Sequence, residues 1–334
     1  MSYMRLLNNF FGFIVALLLF GVIISAPAGA QAANANAAQG LQVSPALVEL
    51  NAARGKTYNI TLSILNVTAS DLTYSSSVSD FNSADETGSP HIILDSKLPE
   101  IASVKTWIST VPEFTLAGRK SKTITAQIVI PADAEPGGHY GVLRFSGSAP
   151  EIKSTGVGLS ASAGVLILIR VDGAITEKAD LASFYTAQNS KQSSFFENSP
   201  ITFVTRIHNV GNIHVKPVGS IELRDMFGGI IKTLPVNSDK SNILPNSIRR
   251  FEAQYNNPWM IGLYTVNLTL GYGLTGQAIT NTISFWVIPY KIILGALFVL
   301  VTIIFILSRL IKVYNRHIIE KAKNENKKHS SSKS

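Results

Sequence analysis

The chain has 334 residues, a formal net charge of +8 and no cysteine. Without cysteine there are no disulfides or thiolate metal sites, so an exported part of this chain must be held together by burial of a core. The positive charge is concentrated at the C-terminus, while residues 31–290 hold nineteen basic and nineteen acidic side chains. That neutral region lacks the basic surface needed for nucleic acid, so no nucleic-acid partner is expected.

The first thirty-two residues are predicted to be a signal peptide. Arg5 supplies the positive start, residues 10–24 form an apolar stretch, and Ala-x-Ala cleavage sites follow at 28–30 and 30–32. An uncleaved membrane anchor is the alternative. Residues 33–40 continue as a low-complexity spacer rich in Ala, Asn and Gln.

The region from residue 41 to residue 288 has the pattern of short β-strands separated by turn residues. Alternation of apolar and polar side chains is clearest at residues 123–130, and the segment from 82 to 112 is predicted to be mainly a loop that carries Trp107. The predicted strands are 41–50, 58–66, 72–78, 122–130, 139–146 and 164–171, then 181–185, 201–209, 218–223, 230–234, 248–255, 263–270 and 278–288. Without sustained helical periodicity, this spacing predicts an all-β fold of two tandem immunoglobulin-like β-sandwich domains.

The two series of strands have the features of diverged copies. Asn66-Val67 closes a strand in the first series, and Asn209-Val210 closes one in the second. Further along each series, an Ala-Gln pair, a Pro-containing turn and a Tyr-x-Val strand follow in the same order, with the tyrosines at Tyr140 and Tyr264. This repeated order favours a tandem duplication.

Residues 292–308 are predicted to cross a membrane as a helix. This run has no charged side chain, and it lies between Lys291 and Arg309, whose long stems can reach the headgroups. At about 1.5 Å per residue it spans about 25 Å, so Trp286 and Tyr290 on one side, with Leu310 and Ile311 on the other, are expected to make up the remaining thickness. Eight Lys or Arg follow from Arg309 onward, which predicts a cytoplasmic tail and an external N-terminal part.

Several local motifs were weighed as binding sites. Residues 271–276 match G-x-G-x-x-G, but the next segment has a strand pattern, so a hairpin is favoured over a dinucleotide site. His208 and His214 flank a turn, and His139 follows another; turn-flanking histidines are favoured over a metal site. Of the tryptophans, Trp107 is predicted in the core, Trp259 as an exposed contact and Trp286 at the membrane interface.

In its order of segments the chain resembles the WxL-interacting protein family of Gram-positive surfaces. The residues that carry the resemblance are 41–45, 130–131 and 137–142 in the first domain, and 207–212, 217–219 and 225–229 in the second. The resemblance implies that the first domain binds peptidoglycan and that the second binds a surface or host protein. Because the chain has no Trp-x-Leu, it would be the anchoring partner.

The favoured hypothesis is a non-enzymatic, membrane-anchored binding or adhesion protein of the cell surface, which holds a cell-wall polymer or a partner protein. No catalytic, cofactor-binding or metal-binding residues are predicted. The alternatives are an assembly accessory that accepts a partner strand at a sheet edge, and a surface hydrolase with scattered carboxylates. The predicted organisation is a signal peptide (1–32), a spacer (33–40), two sandwiches (41–172 and 173–288), a transmembrane helix (290–311) and a basic cytoplasmic tail (312–334).

Overall fold

The computed structural model describes residues 40–93, 103–148 and 161–331, so the predicted signal peptide and residues 33–39 lie outside the described residues. The strands of the first sandwich are β1 (Leu41–Ser44), β2 (Leu47–Ala52), β3 (Thr57–Asn66), β4 (Leu72–Ser83), β5 (Pro90–Ile93), β6 (Phe114–Leu116), β7 (Ser121–Val129), β8 (Gly137–Ser148) and β9 (Ala161–Val171). They form one sheet in the order β1-β3-β7 and a second in the order β2-β9-β8-β4-β5, with β6 beside β4.

The core of the first sandwich lies between these two sheets. Alternate residues of β3 and β7 point inward, and Leu62 and Ile128 are fully buried. Opposite them are Phe145 on β8 and Ile167 on β9, which are also fully buried. The predicted alternation over residues 123–130 is therefore confirmed, because one face of β7 covers the core. Trp107 is buried in the same core, as predicted.

The second sandwich is also built from two sheets. Its strands are β10 (Ala179–Gln188), β11 (Lys191–Gln192), β12 (Phe195–Phe196), β13 (Ile201–Asn209), β14 (Val218–Arg224), β15 (Ile230–Val236), β16 (Ile248–Tyr255), β17 (Gly262–Tyr272) and β18 (Gln277–Val287). The sheets have the orders β11-β10-β13-β16 and β12-β18-β17-β14-β15. Between them lies a separate core that includes Phe203, Ile221, Val266 and Phe285. The predicted fold of two immunoglobulin-like sandwiches is confirmed.

Three local predictions differ from the structure. The predicted strand 41–50 is two strands, because the chain changes sheet around Pro45, which has no N–H for a ladder; β1 pairs with β3, and β2 pairs in parallel with β9. The predicted loop 82–112 contains the strand β5, which pairs with the end of β4. Tyr140 and Tyr264 are not equivalent, since Tyr264 faces the core and Tyr140 points away from it.

One long helix, α1 (Tyr290–Ser331), follows β18. It begins at the predicted residue and continues past the predicted end at 311, so it includes most of the basic tail. Among the described residues it is the one helix long and apolar enough to cross a membrane, and none of its apolar stretch is buried against the sandwiches. The apolar side chains of α1 are thus left exposed by the protein itself.

Candidate functional site

The two sandwiches meet through polar contacts, one of which is centred on Glu49 of β2. Its carboxylate accepts hydrogen bonds from Lys216 Nζ at 2.5 Å and from Asn242 Nδ2 at 2.8 Å, both in the second sandwich. Burial by itself raises the pKa of Glu49, but these hydrogen bonds outweigh burial and hold the pKa below its ordinary value. Glu49 is therefore ionised at neutral pH and joins the two domains.

A second contact is made by the turn between β4 and β5. The guanidinium of Arg206 binds both carboxylate oxygens of Glu86, with Nε 2.7 Å from Oε2, and this bidentate bond lowers the pKa of Glu86. The backbone N–H of Arg250 donates to the carbonyl of Glu86 at 2.7 Å. Gly88 has a φ of +78° and faces Arg249 so closely that a Cβ there would lie 2.3 Å from its Cζ. The positive φ therefore favours glycine at this position, where the turn lies against the second sandwich.

A third contact is aromatic and lies at the start of β8. The hydroxyl of Tyr140 lies 3.4 Å from His214 Nδ1, and the two rings meet edge to face. Burial lowers the pKa of His214 to about 4, so this imidazole is neutral at pH 7. Beside it the backbone N–H of Gly138 donates to the carbonyl of Asn212 at 2.8 Å. These contacts, like those of Glu49 and Glu86, link β-strand or turn residues of both domains.

Between the contacts lies a cleft with two cavities, of about 280 Å³ and about 580 Å³. Both are lined by side chains from each sandwich, and both include Phe81, Asn82, Ser83 and Leu244. The larger cavity adds Glu135, Pro136, Gly137, Gly138, His139, Tyr140, Thr176, Val210, Gly211, Asn212, Pro245 and Asn246. Its lining is mostly neutral, with amide groups beside aromatic rings. This composition suits an uncharged polar ligand better than a strongly charged one.

The three histidines that flank predicted turns in the sequence, His139, His208 and His214, lie in separate places in the structure. His214 lies at the junction, whereas His208 lies on β13 opposite Ile248 of β16. His139 is buried, with Nε2 2.9 Å from the carbonyl of Glu135 and its ring against Trp107. In the part of the chain that the structure describes, no three or more His, Cys, Asp or Glu side chains are grouped so as to hold a metal ion.

The glycine motif at residues 271–276 forms the turn between β17 and β18, as predicted. Tyr272 pairs with Gln277 across the hairpin, and Gly273 and Gly276 both have positive φ. These glycines allow the turn conformation, and the segment directly after them is the strand β18, where a dinucleotide site would need a helix.

The sequence had no signal for the residues that join the domains. Lys216 is 167 residues from Glu49, and Arg206 is 120 residues from Glu86. Each is a single charged residue in a region of balanced charge. By contrast, residues 137–142 carry part of the family resemblance, and the first four of them line the larger cavity.

No family model matches the chain, and no curated protein matches it. Solved structures with a similar arrangement include the class 5 fimbriae chaperone CfaA, with a TM-score of 0.39 and 12% identity over 72% of this chain and 98% of that chain. The E. coli chaperone DraB gives a TM-score of 0.34 and 15% identity over 74% and 96%. The CupB2 chaperone of Pseudomonas aeruginosa gives 0.34 and 13% over 74% and 100%.

Proposed function

We propose that the chain is a membrane-anchored, non-enzymatic binding protein of the cell surface, which holds a polar polymer or protein segment in the cleft between its sandwiches. The observation that carries this proposal is that both domains line the cleft and that contacts of Glu49 and Glu86 hold them together around it. A cleft already formed in the free protein avoids part of the ordering cost of binding.

The proposed location is supported by α1. Its apolar side chains are exposed, and residues 292–308 carry no charge, so a bilayer is the environment that removes them from water. The cations from Arg309 onward then lie on the cytoplasmic side, and both sandwiches lie outside. The first sandwich contacts the second sandwich at the end opposite α1. Its partners there are Asn212 and Lys216, which lie in the connection between the end of β13 and the start of β14.

The proposed ligand class is a neutral polar chain, such as the glycan strand of a cell wall. The side chains of Asn82 and Asn246 offer both donors and acceptors, and Phe81 and Tyr140 offer aromatic surface. The larger cavity includes residues 137–140, which are among those that carry the resemblance to the WxL-interacting family, and that resemblance implies peptidoglycan binding by the first domain. Peptidoglycan is therefore the first ligand to test.

The test is co-sedimentation of the full chain, in mild detergent, with purified cell-wall sacculi, beside capture from surface extracts. Asn82 is exposed on β4 and lines both cavities, so Asn82→Trp should fill the cleft and lower the bound fraction at least fivefold. Ser75→Trp, at an exposed position of the same strand away from the cleft, should bind like the wild type. Equal binding by the two variants, or no retention of the wild type on either material, would contradict the proposal.

A second candidate is an assembly role through strand addition. β15 is the last strand of its sheet, and most of its residues are exposed, including Ile230 and Ile231. A partner strand could pair with its free edge. In that case hydrogen exchange of the full chain in surface extract should slow at the β15 amides, whereas a cleft ligand should slow exchange around Asn82 and Asn212.

A further inference from the structure

The end of the second sandwich from which α1 leaves carries exposed apolar side chains. The turn between β14 and β15 bears Met226 and Phe227, and Phe227 is 90% exposed. The connection between β16 and β17 bears Ile261 and Trp259, which is 87% exposed, and the penultimate residue of β18 is the half-exposed Trp286. These five residues are called the helix-proximal apolar surface.

Strand pairing places the three segments side by side. Trp286 pairs with Leu263 at the start of β17, directly after the connection that bears Trp259 and Ile261. Arg224, the last residue of β14, pairs with Thr265 of β17, so the following turn projects at the same end. A Cβ on Gly262 would lie 2.6 Å from the terminal methyl of Met226, which shows that the turn touches the start of β17.

The helix is fixed to this same end. The N–H of Ile288 donates to the carbonyl of Phe196, and that of Trp286 to Ser194, each at 2.8 Å. Lys291 Nζ forms an ion pair with Glu197 at 2.8 Å. α1 begins four residues after Trp286, and its apolar stretch does not pack against the sandwich, so it runs away from this end. The helix-proximal apolar surface therefore faces the side on which α1 would enter a bilayer.

The charged side chains at this surface already have partners within the protein. Asp225 accepts hydrogen bonds from the N–H groups of Phe227 and Gly229, each at 2.9 Å, so its carboxylate is turned back into its own turn. Arg224 is paired with Glu222 at 2.8 Å. Exposed apolar groups that form a contiguous patch mark an interaction surface, and Trp is enriched where a membrane meets water.

We propose that the helix-proximal apolar surface inserts into the headgroup region of the outer leaflet and holds the second sandwich on the bilayer. The proposal rests on the membrane anchoring proposed above. The uncharged run of α1, residues 292–308, is about 25 Å long and a hydrocarbon core is about 30 Å thick. Residues on both sides of the run make up this shortfall, and on the outer side these are Tyr290 and Trp286. The bilayer surface then lies close to Trp259, Phe227 and Trp286, which supply interfacial anchors.

The test uses the full chain reconstituted in phosphatidylcholine–phosphatidylglycerol liposomes. Because the chain has no cysteine, single-cysteine variants carry one environment-sensitive fluorophore each. Phe227→Cys and Trp259→Cys report on the proposed surface. Leu274→Cys is the matched control, since Leu274 is 81% exposed in the hairpin at the opposite end of the same sandwich. Val301→Cys reports on the helix.

Labels at 227 and 259 should be quenched several-fold more by lipids with a shallow spin label than the label at 274, while the label at 301 is quenched by a deep spin label. If the label at 301 is quenched but the labels at 227 and 259 behave like the label at 274, the surface does not insert into the bilayer, while the membrane anchoring by α1 still holds. If 301 is not quenched, the membrane anchoring itself fails. Shielding of 227 and 259 from aqueous quencher without lipid quenching would assign the surface to a second protein chain and overturn the lipid proposal.

Discussion

Asn66 and Asn209 make the same hydrogen bonds at the same place in the two sandwiches, and both are fully buried. In each sandwich the side-chain oxygen of the asparagine accepts a hydrogen bond from the backbone N–H two residues later. The side-chain nitrogen donates to two backbone carbonyls, one four residues later and one in the segment that precedes a later strand of the same sheet. The partners are Thr68, Ser70 and Leu116 for Asn66, and Gly211, Ile213 and Ile243 for Asn209, at 2.7–3.0 Å. The short sequence match thus corresponds to one repeated structural device.

Asn209→Ala should lower the free energy of unfolding by about 3 kcal/mol, because it leaves the carbonyl of Ile213 and the N–H of Gly211 without this partner and removes one of the two hydrogen bonds to the carbonyl of Ile243. Urea denaturation of the full chain in micelles measures the change. Asn281→Ala, at an exposed position on β18, should change it by less than about 0.5 kcal/mol. Similar losses in the two variants would contradict a structural role for the buried amide.

His214 should make stability depend on pH between about 6.5 and about 4. Its folded pKa is lowered to about 4 by burial, so in this window the unfolded chain binds a proton that the folded chain does not. The free energy of unfolding is therefore highest above the pKa of His214 in the unfolded chain. It falls as the pH is lowered through the window, by at most about 3 kcal/mol. The pKa values of Glu49 and Glu86 are lowered from an ordinary value of 4.5, so these two groups add a further loss of stability only as the pH falls below about 4.5.

Denaturation curves at pH 7 and pH 5 measure this effect. His214→Gln, which stays neutral at both values, should reduce the difference in unfolding free energy between them. Nearby charges are Glu49, Lys216, Arg170 and Glu177, and they remain in the variant. An unchanged difference in His214→Gln would assign the pH dependence to another group.

The Glu86–Arg206 pair should contribute a measurable coupling between the domains. A double-mutant cycle with Glu86→Ala and Arg206→Ala should give about 1 kcal/mol, the upper part of the range for partly exposed pairs, because the contact is bidentate. The coupling should fall in 1 M salt. The Glu222–Arg224 pair, within one strand and similarly exposed, serves as the reference and should give less.

Each sandwich should fold when expressed alone, as residues 41–172 and 176–288, since each has its own core. In the isolated second sandwich His214 loses Tyr140 and the cover of the first domain. NMR titration should therefore find its pKa above 4 and closer to its ordinary value. Two unfolded halves would show that the junction, and not the separate cores, sustains the fold.

The basic tail should act through charge and not through its order of residues. Residues 312–334 hold seven Lys or Arg, each worth about 1 kcal/mol near an anionic leaflet. Scrambling this segment should leave surface display intact, and replacing its seven cations with Gln should lower correct insertion, as measured by protease accessibility in whole cells. Loss of function with normal display in the scrambled chain would favour a specific cytoplasmic partner.

The sequence by itself determined the all-β class, most of the strands and the start of the C-terminal helix. These depend on alternation and uncharged length, which are properties of neighbouring residues, as at residues 123–130 and 292–308. The sequence also indicated Asn66 and Asn209, because each side chain forms hydrogen bonds within the turn that follows it, and such a turn has a recognisable local sequence.

Only the tertiary structure decided which strands share a sheet and which side chains meet between the domains. Pairing of β2 with β9 and the contact of Glu49 with Lys216 join residues more than one hundred positions apart, and no local pattern encodes them. Tyr140 shows the reason most clearly. The strand pattern predicts that side chains alternate between the two faces of the sheet, but not which face a second domain covers. Tyr140 lies on the face that contacts the second sandwich, whereas Tyr264 lies on the face that covers its own core.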